Sequence, residues 1–200
     1  MRRRFGWAAL GLSALLGANA AAAPALPLSL SCDGPFRKTT SEAELKTLFG
    51  PANVSHALID GPEGETYPAT VLFARDPART VRIVWIDDAA RRGVSDVTVV
   101  GGAWRGPRDI RVGSTMAEVE KANGRPFTLY GFGWDYGGIV SDWRKGALEA
   151  GRPGCAFHAR FEPGPVDDAR ALGDGTFSSA DARMRADRPL LAEFGIGFAN

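Results

Sequence analysis

The sequence predicts an α+β fold: tandem helix plus antiparallel-strand repeats forming a sheet with short helices on one face. Two matching helix signatures are the first ground. Ser41 with Glu44, and Thr115 with Glu118, each fit a capping box, in which the hydroxyl accepts from an orphan backbone N–H and the glutamate reaches back to the cap. A glycine closes each helix, Gly50 before Pro51 and Gly124 before Pro126, since glycine supplies a left-handed stop and proline cannot extend the ladder. The second ground is that each helix is succeeded by runs of period two with turn signals between them. Third, 25 glycines and 13 prolines suit a chain that turns often between short strands.

At the N-terminus, Arg2, Arg3 and Arg4 precede an apolar run over 5–16, and Ala18-Asn19-Ala20 offers a cleavage triplet. Residues 1–23 are expected to be a signal peptide, because a spanning helix would need roughly 20 apolar residues. Ser29 stands where a lipoprotein signal would want leucine, three positions before Cys32, so lipidation is not expected. Losing the signal removes three arginines and leaves 21 basic against 23 acidic residues, a net charge of −2. Without a basic cluster, nucleic acid is not an expected partner, because such binding rests on dense phosphate neutralisation. A periplasmic or secreted protein with no stable membrane insertion after signal removal is the expectation.

The first repeat, 24–103, carries the Ser41 helix with Leu45, Leu48 and Phe49, then expected strands over 67–74, 80–86 and 94–100. Along 80–86, Val81, Ile83 and Trp85 share one face, which marks a half-buried strand. Residues 101–107 read as a linker. The second repeat, 104–200, carries the Thr115 helix ending near Asn123, then expected strands over 127–134, 138–143 and 155–161. Its C-terminal extension reads as a loop over 164–175, a short helix over 179–187 and a last strand over 190–198. Ser41, Glu44, Leu45 and Gly50 precede Thr115, Glu118, Val119 and Gly124 by 74 positions each, which points to an internal duplication. Short turns require antiparallel pairing, since parallel strands need a long crossover.

Cys32 and Cys155 are the two cysteines of the chain. In an exported protein a disulfide between them is the economical expectation, with two separate buried thiols as the alternative.

Tyr130, Phe132, Trp134 and Tyr136 fall on one face of an extended chain, while Gly131, Gly133, Asp135 and Gly137 fall on the other. Such a stripe is either β core or a binding surface. The glycine side leaves room for a helix to approach, which would turn the aromatics, with Trp143 on the returning strand, towards a protein partner.

His56 and His158 are the two histidines, and neither sits in a catalytic signature. The chain has no Gly-x-Ser-x-Gly, no His-Glu-x-x-His and no P-loop. Asp87-Asp88, Asp167-Asp168 and Asp174 with Asp181 lack the spacing of a calcium loop and read as turns or caps. No catalytic residue, metal or cofactor is assigned.

Val112-Gly113-Ser114-Thr115-Met116, running through Val119 to Asn123-Gly124-Arg125-Pro126, resembles a motif of the tandem-repeat β-lactamase inhibitory proteins and of the small outer-membrane assembly lipoproteins of the SmpA/OmlA type. The first repeat carries Lys38-Thr39-Thr40-Ser41-Glu42 in place of the opening glycine and methionine. The resemblance implies a sheet with helices on one face and the other face open to a partner protein, with no enzymatic activity and no cofactor. Two functions remain compatible with the sequence. One is a non-enzymatic exported envelope protein that binds an envelope or secreted protein, as an inhibitor or assembly factor; the other is a small exported hydrolase with a dispersed active site.

Overall fold

Both capping boxes form. Ser41 Oγ accepts the Glu44 backbone N–H at 3.4 Å while the Glu44 carboxylate accepts the Ser41 N–H at 2.7 Å, and α1 (Glu42–Phe49) starts there. Thr115 and Glu118 repeat the arrangement at 3.3 and 2.7 Å to open α2 (Met116–Asn123), which Gly124 ends in the left-handed region at φ 79°. The computed structural model describes residues 28–149, 153–166 and 169–199. The expected signal peptide and the pair Asp167-Asp168 lie outside the described residues.

After α1 come β1 (Val54–Asp60), β2 (Thr66–Leu72), β3 (Val81–Asp87) and β4 (Arg92–Val99). After α2 come β5 (Thr128–Tyr130), β6 (Val140–Asp142), β7 (Cys155–Glu162), β8 (Thr176–Ser178), α3 (Ala182–Ala186) and β9 (Leu190–Phe198). The α+β class holds, with every strand pairing antiparallel. The strands, however, divide between two sheets: a six-stranded one ordered β1-β2-β3-β4-β9-β7 and a three-stranded one ordered β6-β5-β8. The two strands nearest α2 thus leave the main sheet, and its far edge is completed by β7 and β9 from the end of the chain.

Register assigns the faces of the main sheet. Val81 and Ile83 of β3 stand beside Leu72 and Thr70 of β2 and beside Val99 and Val97 of β4, and all are buried. On the same face α1 sits over β2, where Thr70 donates to the Glu42 carboxylate at 2.9 Å. The layer headed by α2 covers this face further along, where Phe127 stacks on Phe161 with ring centroids 5.7 Å apart. The opposite face of the main sheet carries Arg82, Asp96, His158 and Arg160.

Segment 101–107, expected as a linker, places Trp104 in the core. Trp104 is buried, donates from Nε1 to the Arg79 carbonyl at 2.9 Å and packs against Phe36 and Phe49. The Cys32–Cys155 disulfide is present and ties the start of the described chain to β7 across a separation of 123 residues. Among the described residues, no helix is long and apolar enough to cross a membrane.

Candidate functional site

The aromatic stripe does not stay extended. β5 ends at Tyr130, after which Gly131 N–H donates to the Gly175 carbonyl and Phe132 N–H to the Ala171 carbonyl, which folds the chain against loop 171–175. A Cβ on Gly131 would meet the Gly173 carbonyl oxygen at 2.6 Å, so this glycine is needed for close approach of backbone to backbone. Gly138 is tighter still. It has φ 75°, and a Cβ there would lie 1.9 Å from the Phe161 carbonyl oxygen. Gly131 and Gly138 therefore admit neighbouring main chain, where a helix was expected to pack.

Breaking the period distributes the five expected binding residues. Phe132 is 3% exposed and Trp143 is 6% exposed, so both belong to the core. Trp143 donates from Nε1 to the Phe157 carbonyl at 3.1 Å and packs against Phe127 and Phe157. Their assignment to a binding surface is corrected: Phe132 is held against loop 171–175, and Trp143, just past β6, is buried against the main sheet at Phe157. Tyr130 and Trp134 are half-buried and Tyr136 is exposed.

These last three make a continuous array. Tyr130 meets Trp134 edge-on at 5.5 Å, and Trp134 lies 5.2 Å from Tyr136. Trp134 Nε1 donates to the Gly131 carbonyl at 2.9 Å, which fixes the indole, and the turn closes with Gly137 N–H donating to the Trp134 carbonyl. Asp135 accepts the Glu63 backbone N–H at 2.8 Å, tethering the array to the β1–β2 turn. Tyr67 of β2, also exposed, lies just beyond the β1–β2 turn that Asp135 tethers. A hydrogen bond to Glu65 chiefly, then burial and the nearby negative charges, push the Tyr67 hydroxyl above its usual pKa. Nothing local marks Tyr67 in the sequence, where the apolar end of its strand, 69–72, is the stronger signal.

Each histidine is held by a carboxylate. His56 Nε2 lies 2.6 Å from Glu42, a buried carboxylate that also receives Lys46, Arg91 and Thr70. Burial works to raise the Glu42 pKa, but hydrogen bonds from Lys46, His56 and Thr70 with the His56 charge hold it down at about 2. His158 Nε2 lies 2.7 Å from Asp96, to which Thr98 also donates at 2.7 Å. Burial opposes protonation of His158, yet the hydrogen bond and charge of Asp96, with Glu193 behind, raise its pKa above the usual histidine value. Both nearby hydroxyls, Thr70 and Thr98, are bonded to the carboxylate and not to an imidazole nitrogen, which is the reverse of a nucleophile–base pair. A cavity of about 390 Å³ opens beside His56, lined by Ala57, Leu58, Pro68, Asp88 and Arg91 among others, with no serine among its described lining.

The acidic residues act locally. Asp87 accepts the Ala90 N–H in the β3–β4 turn, and Asp181 caps α3 while pairing with Arg183. Among the described residues, no three His, Cys, Asp or Glu side chains gather as a metal site would require. The chain matches no protein-family model, and neither a curated protein nor a solved structure matches it.

Proposed function

We propose that this is a non-enzymatic exported envelope protein that binds a protein partner through the Tyr130–Trp134–Tyr136 array, with Tyr67 at its margin, in the manner of an inhibitor or assembly factor. One observation carries the reading: Trp134, with Tyr130 and Tyr136 each against it, leaves aromatic surface partly open to solvent on a turn fixed by the Trp134 indole bond and the Asp135 tether. Tyrosine and tryptophan bring large contact area at low entropic cost, and pre-ordering them lowers the cost of association. A periplasmic or secreted location is part of the proposal and is supported by the disulfide, since such bonds persist in oxidising compartments.

Kinship with the tandem-repeat inhibitory proteins and the assembly lipoproteins is part of the same proposal. It is supported by the two equivalent capping boxes, whose cap residues each bridge to the start of a strand, Ser41 to Arg92 and Thr115 to Leu190. Cross-linking in the envelope fraction, followed by calorimetry with the purified partner, tests the function. Trp134→Ala should weaken that binding while the fold persists; equal affinity for wild type and variant would refute the proposal.

A further inference from the structure

β1 is an edge strand, paired with β2 on one side and with nothing on the other among the described residues. Its hydrogen-bond parity is set by the two ends of the hairpin. Phe73 N–H donates to the Asn53 carbonyl, and Gly61 N–H donates to the Glu65 carbonyl, both at 2.8 Å. With the register Ser55↔Val71, Ala57↔Ala69 and Ile59↔Tyr67, the odd-numbered residues therefore bond inward to β2. Val54, His56, Leu58 and Asp60 turn their main-chain groups to the open edge, where, among the described residues, the Val54 N–H alone is already used, by the Pro51 carbonyl.

Proteins usually guard such an edge with lysine, proline, a bulge or a covering element. Val54–Asp60 contains neither lysine nor proline, and its register with β2 runs without a shift. Leu58 is 70% exposed at its centre.

We propose that two copies of this chain pair through β1, antiparallel about a two-fold axis at Ala57, joining their main sheets into one. In that register His56 of one copy and Leu58 of the other exchange both main-chain bonds, twice over. Asp60 N–H donates to the Val54 carbonyl of the second copy, which needs nothing from the occupied Val54 N–H. The two Leu58 side chains become diagonal neighbours on one face and cover each other. Charge fits the same register, because Asp60 is the one Asp, Glu, Lys or Arg residue of β1. The two copies of Asp60 fall at opposite ends of the pair, about 20 Å apart at strand spacing and beyond the ~8 Å screening length. The β1 edge adjoins the aromatic array, since Tyr67 pairs with Ile59 and Asp135 reaches the β1–β2 turn, but substituting Leu58 changes no residue of the array.

Sedimentation equilibrium over a micromolar to submillimolar series, on the disulfide-intact protein, tests this. Wild type should pass from monomer to dimer. Leu58→Lys, which guards the edge, and Leu58→Pro, which deletes an outward N–H while sparing the inward ladder, should each raise the dimer dissociation constant by about tenfold or more, with unchanged circular dichroism. Should the proline variant unfold, the lysine variant decides alone. A wild type that stays monomeric throughout, including one that binds a strand of another protein at β1 instead, overturns the proposal. So does a dimer that Leu58→Lys leaves intact.

Discussion

Nε2 of His56 lies 2.6 Å from the Glu42 carboxylate, and that carboxylate is the hub joining α1 to the main sheet. Trp85 extends the network inward by donating to Thr70 Oγ1 at 2.9 Å. Glu42→Gln should therefore destabilise the protein by about 3 kcal/mol near neutral pH, the free-energy equivalent of holding the carboxyl well below its usual range. Because the folded pKa is depressed from 4.5 to about 2, this stabilisation is present above pH 4.5 and is lost as pH falls from there through 2. Urea unfolding of wild type and variant at several pH values should show the gap between them closing in that window.

His158 titrates with the opposite sign. Its pKa is raised above 6.5 in the folded protein, so its contribution is fully present below that value and disappears as pH rises through the folded pKa. The imidazole resonances should shift with a midpoint above 6.5, and Asp96→Asn should lower that midpoint. A midpoint unaffected by the substitution would mean that Asp96 does not govern it.

Replacing Cys32 and Cys155 together by serine should lower stability by up to about 5 kcal/mol, the loop-closure entropy for a loop this long. Denaturant unfolding measures the loss, and non-reducing peptide mapping of protein purified without reductant identifies the linked peptides.

Gly138→Ala should be among the most damaging single substitutions. The added Cβ would collide with the Phe161 carbonyl just where Phe161 N–H donates to the Gly138 carbonyl at 2.9 Å, and the residue is already at positive φ. A drop of several degrees in the thermal midpoint is expected, since about 1 kcal/mol shifts a domain of this size by 2–4 °C.

Local chemistry was legible in the sequence. Both helix starts, the αL glycine after α2 and the face shared by Val81, Ile83 and Trp85 result from short-range rules acting on named side chains, and the disulfide was legible because the chain has two cysteines to pair. Hidden from the sequence were the non-local choices. β1 carries no buried residue, so it shows no apolar face to read, and its existence depends on pairing with β2. Likewise the pairing of β9 with both β4 and β7 is decided across the whole chain, and it sends β5 and β6 into their own sheet. The aromatic stripe was half legible. Period two holds to Tyr130, then Gly131 turns the backbone into loop 171–175, which buries Phe132, while Trp143 is buried separately against Phe127 and Phe157.

Trp134→Ala, compared with Trp143→Ala, is the measurement that bears most directly on the proposed binding site. Removing the core indole of Trp143 should cost about 3–5 kcal/mol of stability. Removing Trp134 should cost much less stability and weaken partner binding by about 2 kcal/mol or more, and Tyr136→Ala should act in the same direction. The contrary result is a pair of variants, Trp134→Ala and Tyr136→Ala, that both unfold at lower denaturant while binding the partner as tightly as wild type; the array would then be packing, not interface.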